Sequence, residues 1–386
     1  MVVKLSKARV NSWRLARHHL TQRVGKGDLA KVVSDVCGIQ AQVLSAAELA
    51  IRARVEEVTQ QDVRDALSKD HAILRTWCMR GTIHILASSD LPLLVAALKT
   101  KLFEIQTWLQ KNHAVQPEEV EAITVEIKKA LEDAALAREE LAHQVERQAR
   151  VSEETKSYLR SAWGNVGIPE ALLQAAAYQG ALAFGPNRGA SVTFVRPDRW
   201  TASWSEPPTA EAFKKVFWKF ISCYGPVTTK DFDHWWGNLA NVEKSILKEI
   251  GKKLEEVKVE EYQSWMLRPD AEEASGLDSN PVVRLLPSFD CYSAFYTPRE
   301  FFIAQAHRSR IFKRTAYRWI YPTLVIDGSA TGIWNMRKRT KQIEIRVEPF
   351  RKLDTREKDA VLEEAGDISR FYGSPVPAEV RYSAIT

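Results

Sequence analysis

A recurring order of elements constrains the fold of this chain more than any other feature of its sequence. Apolar residues at helical spacing predict helices over residues 8–20, 29–36, 45–53 and 61–68. The runs AILRTWCM and TIHILA follow and indicate two strands around Arg80-Gly81, a dipeptide that favours a tight hairpin. Helices followed by a β-hairpin are typical of the winged-helix variant of helix-turn-helix, so we predict a first winged-helix unit over residues 1–99.

The same order recurs twice further along the chain, without sequence identity between the copies. Residues 100–150 are charged and helical, and we interpret them as a linker with a largely solvated face. The second copy ends in two strands around GPNRGA; the third has three helices from PPTAEAF onward and ends in LEEVKV and EYQSWML. We therefore predict the helical linker and a second winged-helix unit over 100–205, and a third unit over 206–279.

After residue 280 the composition changes to β-branched and aromatic residues separated by Gly and Pro. The runs PVVRLL, PTLVIDG, ATGIWNM and QIEIRVEPF predict strands, and TREKDAVLEEAGDISRFYG predicts a closing helix. We interpret residues 280–350 as a small β-barrel and residues 351–386 as a C-terminal helix and tail. The predicted fold class is α+β, with three tandem winged-helix units and this barrel.

Positive charge is concentrated in two segments. Residues 1–31 contain eight Lys or Arg and one acidic residue, and residues 299–346 contain eleven Lys or Arg and three acidic residues. The net charge of the whole chain is only +6, so the rest of the chain is acidic. This distribution indicates a localised face for a polyanion such as nucleic acid. The alternative is two solvated surfaces that are unrelated in space.

Cysteine usage and hydropathy exclude several classes of protein. Cys37, Cys78, Cys223 and Cys291 are far apart and form no C-x-x-C pair, which argues against a zinc ribbon, a disulfide scaffold or an iron–sulfur cluster. No run approaches the ~18 apolar residues of a membrane helix. The basic N-terminal stretch lacks the apolar core of a secretory signal. We therefore expect a cytoplasmic protein, associated with the nucleoid when it binds DNA, with no membrane segment.

Two glutamines, Gln40 and Gln42, lie one residue apart in a run that is otherwise nearly all small and apolar. On a helix their side chains would diverge, whereas in an extended backbone they point the same way. Because the segment follows Gly38, a predicted C′ residue, and lies between two helices, we place both amides on one side, facing a common space. One interpretation is structural: the amides satisfy unpaired backbone groups of neighbouring helix ends.

The other interpretation of Gln40 and Gln42 is catalytic. A carboxamide has no useful pKa, but it donates and accepts hydrogen bonds at once, so it can hold a water in one orientation. That is sufficient only where the leaving group departs easily. A purine in DNA that alkylation at N7 or N3 has made cationic is such a leaving group, because it departs without protonation.

Five blocks of the sequence resemble the AlkZ-type DNA glycosylases, in the order typical of that family: GIQAQVLSAAELAIRARV, RTWCMRGTIHIL, GPVTTKDFDHWWG, LLPSFDCYSAF and PTLVIDGSATGIW. The resemblance covers nearly the whole chain. It implies three winged-helix units scaffolded around a β-barrel, with a concave DNA-binding face. It also implies a catalytic Gln–aliphatic–Gln signature, which falls on Gln40, Ala41 and Gln42.

The function that follows is a monofunctional DNA glycosylase. It would hydrolyse the N-glycosidic bond of cationic N7- or N3-alkylated purines in DNA repair, with both glutamines positioning the water; bulky adducts and interstrand crosslinks are further candidate substrates. We expect double-stranded DNA as the partner, a monomer, and no cofactor or metal. The alternative is a non-catalytic winged-helix DNA-binding protein or transcriptional regulator. A third hypothesis is a structural or partner-binding protein. The salt dependence of binding to duplex DNA would distinguish it from the first two.

Further site residues are predicted from residue type and position, each beside a structural alternative. Trp77 and His84 line the lesion pocket, or they are a core tryptophan and a hydrogen-bonded core histidine. Arg80 contacts a phosphate from the hairpin tip, or it is simply solvated. Asp290 polarises a water or the sugar, or it is a turn residue after a strand.

The remaining candidates are basic residues for DNA contact. The run AQAHRSRIFKRTAYRW interleaves basic and aromatic residues, and RKRTK forms a basic turn. Such a mixture suits phosphate contact together with stacking. The predicted contacts are His307, Arg308, Arg310, Lys313, Arg314, Arg337 and Lys338.

Overall fold

The computed structural model describes residues 2–164, 170–201, 203–237, 251–277, 281–313, 319–339 and 342–383. These residues confirm the α+β class, since helices and sheets are both present throughout. The chain divides into two compact units: a discontinuous unit of Met1–Val63 with Trp218–Thr386, and a central unit of Arg64–Phe217. This division is coarser than the five predicted segments, whose boundaries stay predictions.

The N-terminal part of the discontinuous unit contains the helices expected from the first copy of the repeated order. Its elements are β1 (Val3–Leu5), α1 (Lys7–Arg17), α2 (Leu29–Asp35), β2 (Ile39–Gln40), α3 (Leu44–Arg52) and α4 (Gln60–Ser68), of which α4 continues past Val63. Ser6 caps α1 by accepting a hydrogen bond from the Arg9 amide at 3.3 Å. Val10, Trp13 and Leu15 on α1 are buried, as the apolar face predicts.

The central unit begins with the predicted hairpin. Its elements are β3 (Ile73–Trp77), β4 (Ile83–Ala87), α5 (Leu91–His113), α6 (Pro117–Ala130), β5 (Leu136–Ala137), α7 (Arg138–Gln148), α8 (Glu153–Gly164), α9 (Glu170–Tyr178), β6 (Ala183–Phe184), β7 (Thr193–Val195) and the start of α10 (Thr209–Tyr224). The strands β4, β3, β6, β7 and β5 are hydrogen-bonded neighbours in that order. The first two predicted hairpins therefore share one sheet.

The helices predicted over 100–150 are present, but they are not only a solvated linker. Their charged faces enclose a buried apolar stripe, which includes Leu109, Val120, Ile127, Leu141 and Val145 at 0% exposure. The segment therefore packs as part of the central unit, because its apolar residues recur at helical spacing between the charges.

The C-terminal part of the discontinuous unit carries two sheets. Its elements are α11 (Thr229–Trp236), β8 (Leu254–Val259), β9 (Tyr262–Leu267), α12 (Arg268–Gly276), β10 (Val283–Leu286), α13 (Cys291–Phe295), α14 (Arg299–Phe302), α15 (Arg308–Ile311), β11 (Thr323–Ile326), β12 (Ser329–Lys338), β13 (Ile343–Pro349), α16 (Thr355–Phe371) and β14 (Glu379–Tyr382). The third helix expected before LEEVKV falls on 238–250, outside the described residues.

In the first sheet, β1 pairs in parallel with β8, and β8 pairs antiparallel with β9. The second sheet has the order β10-β11-β12-β13-β14, and only its last pair is parallel. Among the described residues this second sheet is open, so the predicted barrel closure is not seen. One apolar core joins α1 to both sheets and includes Trp13, Val257, Met266, Tyr292 and Val325. Within the described ranges, no helix has the length and apolar character to cross a membrane.

Candidate functional site

The two glutamines lie where β2 ends and the chain turns toward α3. Ile39 and Ala41 are 0% exposed, whereas Gln40 is half-buried and Gln42 is exposed. The strand ends at Gln40 and Gln42 lies in a bend, but the exposure still alternates, so both glutamines are on the accessible side of the segment while Ile39 and Ala41 face the core. The chemical role of the two amides stays a prediction.

A tight reversal after α2 directs the chain into β2. The Cys37 amide donates to the Ser34 carbonyl at 3.0 Å and the Gly38 amide donates to the Val33 carbonyl at 2.9 Å, which is a Schellman motif. The left-handed C′ residue is therefore Cys37, at φ 59°, and Gly38 follows it at φ 94°. The sequence-based placement of Gly38 at C′ is wrong by one residue. A left-handed Cys costs of order 1 kcal/mol or more, and such strain persists only where its surroundings impose it.

Contacts to α10 and to the end of α1 hold this reversal. The Tyr224 hydroxyl donates to the Val36 carbonyl at 3.1 Å, and Lys219 Nζ donates to Ser34 Oγ at 2.8 Å. The Asp35 carboxylate lies 2.8 Å from His19 Nε2. Burial of Asp35 alone would raise its pKa, but hydrogen bonds from His19 and Lys31 outweigh burial and lower it. Residues 34–36, which lead into β2, are thereby held by α10 and by His19.

The capping alternative finds no support at Gln42. The N-cap residue of α3 is Val43, and no side chain caps this helix end. Among the described residues, no hydrogen bond involves the Gln42 side chain. An exposed amide that is not used to satisfy the backbone is available to a ligand or a water.

Trp77 and His84 lie in the interior of the central unit, as their core alternatives describe, and a role in lining a lesion pocket stays a prediction. Trp77 is 1% exposed and stacks on Phe184 at 4.7 Å and on Phe194 at 6.3 Å between ring centroids. His84 is 2% exposed, and its Nδ1 lies 3.0 Å from the Thr82 carbonyl. Burial, aided by the charge of Arg80, lowers the pKa of His84 to about 3. Both side chains follow their core alternatives.

Arg80 is at the tip of the β3–β4 hairpin, as predicted. Arg80 and Gly81 have φ of 57° and 69°, and the Thr82 amide donates to the Met79 carbonyl at 3.1 Å, so the turn is of type I′. The Arg80 guanidinium lies 3.3 Å from His84 Nε2 and is half-buried. Its contact with a phosphate stays a prediction.

Asp290 is enclosed in the core of the discontinuous unit, and its accessory role in the reaction stays a prediction. Both carboxylate oxygens accept hydrogen bonds from Arg54, at 2.7 and 2.8 Å, and both side chains are 0% exposed. Asp290 is also the N-cap of α13, accepting from the Tyr292 amide at 3.0 Å. These contacts are those of a structural residue, although it is a helix N-cap in a buried ion pair and not simply a turn residue after a strand.

The predicted basic contacts differ in how far they are free to bind a phosphate. Arg310 lies 3.0 Å from the Glu348 carboxylate, and His307 stacks on Phe350 at 4.4 Å. Lys338 Nζ lies 3.2 Å from the centroid of the Tyr372 ring. Three candidates are exposed and have no ion pair with a described carboxylate: Arg308, Lys313 and Arg337. Arg314 lies outside the described residues.

Two exposed aromatic residues near Lys313 were not among the predicted DNA contacts. Trp319 and Tyr321 are each 37% exposed. They flank Ile320, which packs against the core. The sequence signal that could have identified this pair is the aromatic–aliphatic–aromatic pattern WIY, since residues two apart in an extended chain share a face.

The described residues hold no cluster of three or more His, Cys, Asp or Glu that is arranged to bind a metal ion. The four cysteines are buried and none is in a disulfide. Burial raises the pKa of Cys78 and of Cys291 to about 12, so neither is a thiolate at neutral pH.

Comparison with known proteins identifies the family of this chain. The family model for AlkZ-like DNA glycosylases matches residues 33–371. The curated "Interstrand DNA cross-link repair glycosylase" of Streptomyces sahachiroi is 32% identical over 387 residues, spanning 98% of this chain and 100% of that protein. The solved structure of the Streptomyces sahachiroi DNA glycosylase AlkZ superposes with a TM-score of 0.85 at 30% identity, covering 98% of this chain and 100% of the other. The chain therefore belongs to the AlkZ-like DNA glycosylase family.

Proposed function

We propose that this protein is a monofunctional DNA glycosylase that hydrolyses the N-glycosidic bond of alkylated purines. The observation that carries the proposal is the Gln–Ala–Gln segment, with Ile39 and Ala41 buried and the two amides on the accessible side. Family membership over residues 33–371 supports a glycosylase and not a plain DNA-binding protein. We further propose that the helix–hairpin units act as winged-helix modules around the C-terminal β-domain.

In the proposed reaction, Gln40 and Gln42 hold one water by donating and accepting hydrogen bonds. The water oxygen forms a bond to C1′ of the damaged nucleotide. The bond from C1′ to the base nitrogen breaks, and its electron pair leaves with the base, which is neutral because it started as a cation. The attacking water loses a proton to solvent, and an abasic site remains. The contribution of the amides is orientation and electrostatic stabilisation, not proton transfer.

The substrate class follows from the environments of His84 and Asp290, the two candidate proton donors that the sequence offered among the described residues. Burial and Arg80 lower the pKa of His84 to about 3, so near neutral pH His84 is a neutral imidazole and not the acidic imidazolium. Asp290 is 0% exposed and bonded through both oxygens to Arg54. General acid catalysis typically contributes ~10²–10⁴-fold. Without it, only bases that depart without protonation are released well, which are the N7- and N3-alkylpurines.

Interstrand crosslinks through purine N7 fit the same chemistry, because each linked purine is cationic. The Streptomyces sahachiroi relative is named for interstrand cross-link repair. We propose that N7-linked crosslinks are substrates of this protein too. The exposed cations Arg308, Lys313 and Arg337 are proposed to contact phosphates of double-stranded DNA.

Incubation with matched duplexes tests the proposal. One duplex contains 7-methylguanine, one contains 3-methyladenine, and the controls contain uracil, 8-oxoguanine or hypoxanthine; released base is quantified by mass spectrometry. We expect release of the two methylpurines and near-inertness toward the controls. Borohydride should trap no covalent enzyme–DNA adduct. Efficient uracil release would show that a proton donor exists, and binding to methylated duplex without any release would favour the non-catalytic DNA-binding protein.

A pH profile separates this mechanism from acid catalysis. If no carboxylic acid protonates the leaving base, the single-turnover rate for 7-methylguanine should lack a steep acidic limb between about pH 5 and 8. A rate that falls tenfold for each pH unit in that range would require a titrating donor.

A further inference from the structure

An exposed aromatic pair lies next to the basic segment of the discontinuous unit. Residues 311–313 and 319–321 pair as two short antiparallel stretches, through the bridge Phe312↔Ile320. The Lys313 amide donates to the Trp319 carbonyl and the Tyr321 amide donates to the Ile311 carbonyl, each at 3.0 Å. Phe312 and Ile320 pack against the core. Trp319 and Tyr321, on either side of Ile320, therefore share the outward face of their stretch.

The Trp319 ring and the Tyr321 backbone are held in place, although neither side chain is buried. Phe289, which is 8% exposed, meets the Trp319 ring at 4.8 Å between centroids and 71° between planes, so it braces the indole without stacking on it. The Tyr321 carbonyl accepts a hydrogen bond from the Thr323 hydroxyl at 3.0 Å. A large aromatic ring that stays 37% exposed contributes less hydrophobic stabilisation than a buried one. Exposed apolar surface of this kind often marks a binding site.

The charge around this pair selects the chemistry of its ligand. Lys313 Nζ lies 5.9 Å from the centroid of the Tyr321 ring, and Arg308 is exposed nearby in the sequence. Residues 301–326 contain no Asp or Glu. Aromatic rings beside cations suit the two faces of a nucleic acid strand, its bases and its phosphates.

We propose that Trp319 and Tyr321 are a stacking platform for unpaired bases of single-stranded DNA, with Lys313 contacting the adjacent phosphate. Bases inside a duplex present only their edges, because their faces are stacked on one another. An aromatic ring can stack only on a base whose face has been exposed, as in a single strand or at a distorted lesion. This proposal adds a second ligand to the proposed function, namely the unpaired strand beside the damaged base. It rests on the proposed function only in assuming that the ligand is DNA.

Anisotropy measurements with two labelled probes test the platform: a 12-nucleotide oligothymidylate and a 12-base-pair duplex of mixed sequence. Trp319→Ala should weaken oligothymidylate binding about tenfold, because one base–aromatic stack is lost, and should change duplex binding less than twofold. Trp319→Phe should retain most of the affinity, since a ring remains. Trp265→Ala is the matched control, because Trp265 is 36% exposed on β9, and it should bind like the wild type.

Equal binding of the oligothymidylate by wild type and Trp319→Ala would overturn the proposal, as would an equal loss on both probes. If Trp319→Ala lowers the melting temperature, Tyr321→Ala is read by the same criteria. Base release from methylated duplex, measured on the same preparations, keeps the two proposals apart. Gln42→Ala should bind the oligothymidylate with the wild-type affinity. If Trp319→Ala weakens oligothymidylate binding but the wild type releases no base, the stacking platform is supported and the glycosylase function is contradicted.

Discussion

Asp290→Asn removes the negative charge from a fully enclosed ion pair. Arg54 and Asp290 are both 0% exposed and share two hydrogen bonds of 2.7 and 2.8 Å. Asparagine keeps the shape and can still accept from the Tyr292 amide as an N-cap. It offers Arg54 only one oxygen and no charge. The variant therefore isolates the electrostatic part of the interaction.

The magnitude follows from the burial of Arg54. Burial alone would lower its pKa, but Asp290 outweighs burial and raises it, so Arg54 keeps its charge at any ordinary pH. Removing one partner of a buried ion pair costs about 3–5 kcal/mol in free energy of unfolding. For a unit of this size each 1 kcal/mol lowers the melting temperature by about 2–4 °C. We expect a decrease of roughly 6–20 °C.

Circular dichroism gives the melting temperatures of the wild type, Asp290→Asn, Arg54→Met and the double variant Arg54→Met/Asp290→Leu. The double variant should lose less than the sum of the single changes, because no charge is left unpaired. Base release, measured well below each melting temperature, should stay within about threefold of the wild type. A normal melting temperature with a 10²-fold loss of base release would refute this reasoning and return Asp290 to the reaction.

Three further perturbations test other parts of the account. Charge reversal of Arg308 and Lys313 should change the log–log salt slope of duplex binding by about 1.8 if each contacts one phosphate; an unchanged slope would exclude the contact. Burial and Arg80 lower the pKa of His84 to about 3 from its usual 6.5. As pH falls from about 6.5 toward 3, the unfolded chain therefore binds this proton before the folded chain does, and the free energy of unfolding falls. His84→Asn should reduce the difference between the urea unfolding free energies at pH 4.5 and 7.5. Glu364→Gln should cost about 3–5 kcal/mol in urea unfolding, since Glu364, 3% exposed, bonds Arg52 at 3.0 Å; a loss below 1 kcal/mol would contradict a buried pair.

The local elements of the fold are predictable from the sequence because they depend on neighbouring residues. Arg80-Gly81 specifies a tight turn, since its second position takes a left-handed conformation without a steric cost. The helical spacing of Val10 and Trp13 likewise specifies α1. The extended backbone at Gln40 is inferred from its place between two helices.

Pairings between distant residues are what the sequence does not reveal. Asp290 has its partner 236 residues away in Arg54, so a single sequence shows only an aspartate after a strand. Trp77 looks the same in a pocket or in a core until Phe184 and Phe194 are brought against it. The parallel pairing of β1 with β8 also joins segments that no local pattern connects.

The most direct test of the central claim is single-turnover release of 7-methylguanine from duplex DNA by Gln40→Ala, Gln42→Ala and the double variant. Gln148→Ala, at an exposed glutamine ending α7, is the control. Each single change should reduce the rate by roughly 10²-fold or more, and the double change should cost much less than the product, because both amides act on one water. The melting temperature of Gln42→Ala should not change, since that side chain is exposed. A wild-type rate in either single variant would contradict the account.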